Sequence, residues 1–342
     1  MNWLFGLSLP AVFSRRNTRF HGTGCGPEAR LAVVEQVVDA TEPKIRMLRG
    51  YRERLEGAVA QALGYVDEMV SRIPGVLDIN RANFMNDARV HAIFSSVDQL
   101  EDTFHQSDQL RDFLAEAGNR ELKECYALVC MQKTERTIFG MGLDGQGQIL
   151  RRDVRQTTVS FSDHQILTPG RSEGDARQAL RDCMFQSLLT TAGERMQACR
   201  ARVEALRTEL RRLQSRLSAQ SCQRRSEVID LADQGSIETQ IAEINAKLEQ
   251  SGCTTAEAWI GQILEVLTHP ESALRLQQVH TRLNRLGIKI EGELGEEGED
   301  IELAEVELGE QSPRVVVLAK FPRLEAVAPP DFVREASRYL NV

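Results

Sequence analysis

The chain has 342 residues and a formal net charge of −8, with 42% hydrophobic and 27% charged residues. This composition is typical of a globular protein large enough for two or more domains. The negative net charge argues against a constitutive nucleic-acid-binding protein. No run approaches the roughly 18–20 apolar residues of a membrane-spanning helix.

Residues 1–26 form an apolar and basic N-terminal arm. The stretch "MNWLFGLSLPAVF" precedes Arg15, Arg16 and Arg19, which is the reverse of the order in a secretory signal. We expect residues 1–19 either to pack on the protein or a partner subunit, or to contact a membrane surface peripherally through their apolar and arginine side chains.

The arm ends in the glycine-rich stretch "HGTGCG" at 21–26. It lacks the lysine of a phosphate-binding P-loop, and the residues before it do not form the strand that a dinucleotide-binding turn requires. Because a proline is tolerated at the first position of a helix, we predict that this stretch only leads into a helix beginning near Pro27.

Residues 27–120 are predicted to be helical, with a break at Pro43 and an end at "IPG", 73–75. After the break, apolar residues recur at alternating spacings of three and four, which is typical of a heptad seam. One arginine interrupts the seam. Its members are Ile45, Leu48, Arg52, Leu55, Val59, Ala62, Val66, Met69 and Ile73. Shorter helices are predicted over 87–117.

Residues 121–171 are predicted to form an antiparallel β meander. Four short runs rich in β-forming residues occur at 124–132, 136–143, 148–154 and 156–162, and "DGQG" (144–147) is a turn signal. The meander needs a helical cover over one face. The adjacent Ser162, Asp163 and His164 cannot form a catalytic triad as strand neighbours, because a triad is a spatial arrangement.

Residues 172–252 carry the strongest pattern, a predicted coiled-coil hairpin arm. Apolar residues alternate four and three apart over 33 residues, and a shorter seam follows before Gly252. The predicted interface comprises Phe185, Leu189, Ala192, Met196, Cys199, Val203, Leu206, Leu210, Leu213 and Leu217 on the first arm, and Ile237, Ile241, Ile244 and Leu248 on the second. Since the second arm covers about half of the first, the remaining seam needs another partner, which is either the 45–73 helix of the same chain or a second subunit.

The same helix is rich in arginine, with nine arginines and two glutamates between 195 and 225. These cations are either a solvated face of the coiled coil or contacts to a polyanion such as nucleic acid. The candidate polyanion contacts are Arg200, Arg207, Arg211, Arg212 and Arg216. Ten acids and no base lie between 291 and 310, and this acidic block is a candidate partner for the basic one.

Residues 253–342 are predicted to be a C-terminal α+β region. Helices are expected at 254–268 and 271–286, strands at 288–294, 300–308 and 314–321, and a last helix after the break at 327–330. The acidic strand at 300–308 is expected at a sheet edge, because its charges would oppose pairing with another sheet.

The predicted fold class is therefore α+β, with long coiled-coil helices combined with short antiparallel β regions. We expect a cytoplasmic protein, because seven scattered cysteines favour a reducing compartment over a disulfide framework, and we predict neither a metal site nor a cofactor. The predicted function is a non-enzymatic interaction or scaffold protein whose arm binds a protein partner or a second copy. Two alternatives stay open: a nucleic-acid-associated protein using 195–225, and an enzyme whose site is not readable from sequence.

Overall fold

The computed structural model describes residues 27–143, 150–223, 231–250, 255–284, 286–290, 298–309 and 312–327. These residues combine helices with a mainly antiparallel sheet, so the prediction of a mixed α+β chain is confirmed at that level. They form two compact units, one from the described parts of 27–65 and 185–273, the other from those of 66–184 and 274–327. The five-part division made from the sequence stays a prediction. The N-terminal arm, the "DGQG" turn and the last predicted helix lie outside the described residues.

The N-terminal helical region follows its sequence signals closely. Helix α1 (Pro27–Thr41) begins at the proline after the glycine-rich stretch, and a 3₁₀ helix (Pro43–Met47) follows the predicted break. Helix α2 (Tyr51–Ser71) ends just before "IPG". Within α2 the seam residues are buried except Arg52, which is exposed. The buried members are Leu55, Val59, Ala62, Val66 and Met69.

Four short helices follow; the last three lie within the range 87–117 predicted for short helices, and the first precedes it. They are α3 (Arg81–Asn86), α4 (Ala88–Ile93), α5 (Val97–His105) and α6 (Asp108–Ala115). Each begins after a residue whose side chain accepts a hydrogen bond from a backbone N–H of the first turn, which satisfies one of the unpaired helix-terminal donors. These capping residues are Asn80, Asp87, Ser96 and Ser107.

The two β regions of the sequence form one sheet of six strands. Its strands are β1 (Leu77–Asp78), β2 (Glu124–Leu143), β3 (Leu150–Gly170), β4 (Leu274–Leu283), β5 (Glu299–Leu308) and β6 (Arg314–Pro322). The order is β3–β2–β6–β5–β4, and β1 pairs with β6 in parallel. A four-residue helix, α10 (Arg323–Ala326), ends the described chain.

The prediction of four short strands at 121–171 is wrong, because β2 and β3 are two long strands of 20 and 21 residues. They pair with each other from Tyr126↔Gly170 out to Leu143↔Leu150. The charged residues that separated the predicted runs do not interrupt the strands, since side chains that face solvent on a two-stranded ribbon need not be apolar.

Two predictions for the C-terminal part also fail. The segment predicted as a helix at 271–286 contains β4, in which Leu274 and Leu276, and further along Thr281 and Leu283, are buried with one exposed residue between the members of each pair. The acidic strand β5 lies between β4 and β6 and not at an edge. Its acids are tolerated there because the register places β4 bases opposite them, Arg275↔Glu307 and Arg282↔Asp300.

The sheet curls until its two ends meet through the segment 286–290. The backbone N–H of Val159 in β3 donates to the Gly287 carbonyl at 2.8 Å, and the N–H of Ile290 donates to the carbonyl of Arg282 in β4 at 2.9 Å. Gly287 has a φ of +71°, and a Cβ there would lie 2.9 Å from the Val159 carbonyl oxygen. The close approach and the left-handed backbone both require glycine at this position.

The main core lies between this sheet and the short helices. In this core, Phe94, Leu100 and Phe104 come from the short helices and the segments between them. They pack in one cluster with Val129 of β2 and Phe321 of β6. Strand β2 is buried on both faces from Ala127 to Met131, which explains why the sequence of this part is a continuous apolar run.

Three further helices complete the described chain. They are α7 (Glu173–Gln223), α8 (Leu231–Gln250) and α9 (Ala256–Thr268). Helix α7 has 51 residues, which at about 1.5 Å per residue makes it about 76 Å long.

Candidate interaction surfaces

The predicted seam residues of α7 lie on one buried face, and their burial decreases toward the C-terminal half. Between 185 and 203 all but one are buried: Phe185, Leu189, Ala192, Met196 and Val203, with Cys199 half-buried. Further along α7, Leu213 is buried, whereas Leu206, Leu210 and Leu217 are half-buried.

Helix α8 covers this C-terminal half of the α7 seam. Leu213 of α7 forms an apolar cluster with Ile237 and Ile244 of α8. The half-buried residues that pack against this cluster are Leu206, Leu210, Leu217, Ile241 and Leu248. The contact brings together all eight predicted seam residues of this region. We refer to α7 from Arg202 onward together with α8 as the helical arm.

Most of the candidate polyanion contacts have acidic partners. Arg207 and Arg211 contact the Glu204 carboxylate at 3.8 and 3.0 Å, and Arg212 contacts Glu209 at 3.6 Å. Exposed ion pairs of this kind contribute little to stability, but each one places an acid beside a cation that a phosphate would have to reach. They weaken the case for nucleic-acid binding by this helix.

Arg200, another candidate polyanion contact, has partners within the same compact unit. Its guanidinium forms an ion pair with the buried carboxylate of Glu42 and lies 4.8 Å from the ring centroid of Trp259, which is a cation–π contact. Lys44 lies over the same ring at 5.9 Å. No local sequence pattern predicts this cluster, because its members come from three distant segments.

The helical arm also carries charges that pair with no described residue. Arg202 and Arg216 are exposed on α7, and Glu243 and Glu249 are exposed on α8. None of the four takes part in an ion pair within the described part of the chain. These four are therefore two bases on α7 and two acids on α8.

A second surface is the outer part of the β2–β3 hairpin, which the sequence analysis did not single out. Strand β2 pairs with β6 only from Glu124 to Met131 and continues beyond it, paired with β3 alone. We call residues 132–143 and 150–162 the β ribbon. Ile138 and Phe139 within it are 41% and 72% exposed. Since successive side chains of a strand point to opposite faces, each face of the ribbon carries one of these exposed apolar side chains.

The base of the β ribbon is held by ion pairs. Lys133 contacts Glu135 at 3.2 Å and forms a shorter contact with Glu305 of β5. Arg314 of β6 donates to the carboxylate of Asp163 at 2.8 Å. Further out, Arg136 and Arg155 are exposed and make no ion pair with a described residue.

Metal-ligating side chains and cavities are the features of the described residues that bear on catalysis. No three of their His, Cys, Asp and Glu side chains lie close enough together to hold a metal. A pocket lined by Leu77, Ile93 and Leu303 has a volume of about 20 Å³, which is room for about one water molecule.

The described cysteines are poor nucleophiles. Cys125, Cys130 and Cys183 are free thiols, and burial raises the pKa of Cys130 to about 11 and that of Cys183 to about 12, so both stay protonated at neutral pH. Cys199 is disulfide-bonded.

Comparison of the chain with protein-family models, with curated proteins and with solved structures finds no match in any of the three. Among the described helices, none is long and apolar enough to cross a membrane.

Proposed function

We propose that this protein is a non-enzymatic interaction protein that self-associates through its helical arm. In this proposal, the arm of a second copy packs against the first across a two-fold axis, and the four helices form an antiparallel bundle with coiled-coil packing. The observation that carries the proposal is the half-covered seam between α7 and α8.

The seam is incomplete within one chain. Leu206, Leu210 and Leu217 of α7 and Ile241 and Leu248 of α8 are only half-buried, although their heptad spacing is typical of residues enclosed by facing helices. Two helices can enclose their shared seam from one side only. Packing a second pair against it would remove the remaining apolar surface from water, at about 25 cal/mol per Å².

The charges of the arm fit a second copy of the same arm. Between Arg202 and Arg216, α7 carries five arginines and two glutamates, a net charge of +3. Helix α8 carries four acids and one lysine, a net charge of −3. A two-fold axis places α7 of one copy beside α8 of the other, so each new helix contact joins opposite charges.

Charge reversal tests this arrangement. Sedimentation equilibrium of the purified chain at tens of micromolar should give a dimer. The variant E243R/E249R makes both helices basic, and R202E/R216E makes both acidic, so each alone should sediment mainly as a monomer. An equimolar mixture of the two should recover the dimer, because every contact then joins opposite charges again.

The mixing step distinguishes a broken interface from a damaged fold. Both variants change only exposed side chains and should keep the thermal unfolding midpoint of the wild type. A strictly monomeric wild-type chain at tens of micromolar would overturn the proposal. So would variants that dimerise as the wild type does, or a mixture that stays monomeric.

A further inference from the structure

The β ribbon has a charge that differs in sign from the charge of the whole chain. Its two strand segments contain five bases, Lys133, Arg136, Arg151, Arg152 and Arg155, against two acids, Glu135 and Asp153. Lys133 is occupied by the ion pairs at the ribbon base. Four arginines and one acid therefore remain in its outer part, within a chain whose formal net charge is −8.

The register places cations on both faces of the ribbon. Arg136 lies opposite Thr158, and Phe139 lies opposite Arg155, so Arg136 and Arg155 belong to strand positions of opposite parity. Since successive side chains of a strand point to opposite faces, the two exposed guanidinium groups lie on opposite faces. Phe139 shares the face of Arg155, and Ile138 shares that of Arg136.

The ribbon is open along the edge of β2. From Gln132 outward, β2 has no strand beside it other than β3 among the described residues. Twelve residues at about 3.3 Å each give this part a length of about 40 Å. A two-stranded ribbon is narrow enough to enter the major groove of a nucleic-acid duplex, which is about 12 Å wide in B-form DNA.

From these observations we infer that the β ribbon binds duplex DNA by lying in a groove, with arginines of both faces reaching phosphates on the two groove walls. The exposed Phe139 ring is available to contact bases or to wedge between them. A groove encloses both faces of a ribbon, whereas an acidic strand added to β2 would contact one edge, and a lipid surface would contact one side. The cations on both faces therefore favour a groove.

Fluorescence anisotropy with a labelled 20-base-pair DNA duplex tests this inference. If Arg136 and Arg155 each contact one phosphate, the slope of log affinity against log salt should be about −1.8, and affinity should fall about 12-fold from 50 to 200 mM salt. The variant R136E/R155E should weaken binding at least ten-fold at 50 mM salt, and F139A should weaken it while leaving the salt slope unchanged.

A matched control is the variant R49E/R120E, which makes the same change of charge at two exposed arginines outside the β ribbon and the helical arm. It should bind the duplex within about two-fold of the wild type. R136Q/R155Q should repeat the loss of affinity with less disturbance of the strands, and thermal unfolding of each variant checks that the sheet is intact.

Several outcomes would overturn the inference. They are the absence of duplex binding at 50 mM salt, an equal loss of binding in R136E/R155E and R49E/R120E, and tighter binding to phosphatidylserine vesicles or to polyglutamate than to the duplex. Binding that is unaffected by R136Q/R155Q would also count against the ribbon.

Discussion

His164 shows how a residue that resembles a catalytic group serves the fold. Its Nε2 lies 2.9 Å from the carbonyl oxygen of Ile93, and its Nδ1 lies 3.5 Å from the side-chain amide nitrogen of Gln99. The amide oxygen of Gln99 accepts hydrogen bonds from Ser95, which turns the amide nitrogen toward the ring. The ring also stacks on Phe94, with centroids 5.0 Å apart. This geometry suits the neutral imidazole, with Nε2–H donating and Nδ1 accepting.

Acidification should therefore destabilise the sheet through His164. Burial lowers the pKa of His164 below its ordinary value of 6.5. The unfolded chain takes up the proton first as the pH falls, so the stabilisation is present above about pH 6.5 and is lost between that value and the lower folded pKa. Between pH 8 and 5, the free energy of unfolding measured with urea should fall more steeply for the wild type than for H164Q. Parallel pH profiles would contradict this account.

Single residues were predictable where a local rule acts and not where distant segments meet. The helix start at Pro27 and the break at Pro43 follow from the missing N–H and fixed φ of proline. The pairing of Arg200 with Glu42 depends on a long-range contact that one sequence does not encode. The same holds for Thr168, a β-branched residue held at a φ of +49° in β3.

At the scale of elements, the arm gives the sharpest contrast between neighbouring residues. Leu210 packs against the α7–α8 cluster, and Arg211 is exposed and contacts Glu204. Replacing Leu210 with Asp places a charge without a partner in an apolar contact, which should cost about 1–3 kcal/mol of stability or separate the helices. Arg211→Asp should cost less than about 1 kcal/mol, because exposed ion pairs contribute little.

Chemical denaturation and sedimentation of L210D and R211D measure these two effects. Equal effects of the two substitutions would mean that the heptad register is wrong. The comparison does not depend on the nature of any partner, since Leu210 is in contact within one chain.

Helices were predicted better than strands, and the reason is local. Capping residues and heptad spacing act within a few positions, so the short helices and α7 follow from them. The sequence "LRLQQVHTRL" of β4 does not by itself distinguish a strand from a helix. Its pairing with β5, which places its bases opposite acids, favours the strand. The length of β2 and β3 was missed for the same reason, because the pairing and not the composition continues them.

At the scale of the whole molecule, the single sheet also depended on contacts beyond the reach of pattern analysis. Strands from residues 77–78, 124–170 and 274–322 join in one sheet, and segment 286–290 connects its two end strands. No periodicity relates segments so far apart in sequence. The overall charge of −8 likewise gave no sign of the basic ribbon, because a sum over the chain averages local groups of opposite sign.

The two proposed surfaces belong to different compact units, and this makes a prediction about the whole molecule. The arm lies within 185–273, and the ribbon lies within 66–184. If self-association and duplex binding are separate activities, E243R/E249R should abolish the dimer and still bind the duplex with the salt dependence of the wild type. R136Q/R155Q should keep the dimer and lose the duplex. Measuring both variants in both assays gives four results. Each is taken at protein concentrations below and above the concentration of half-dimerisation. A loss of both activities in either variant would show that one surface serves both, because sites that share no residues should respond independently.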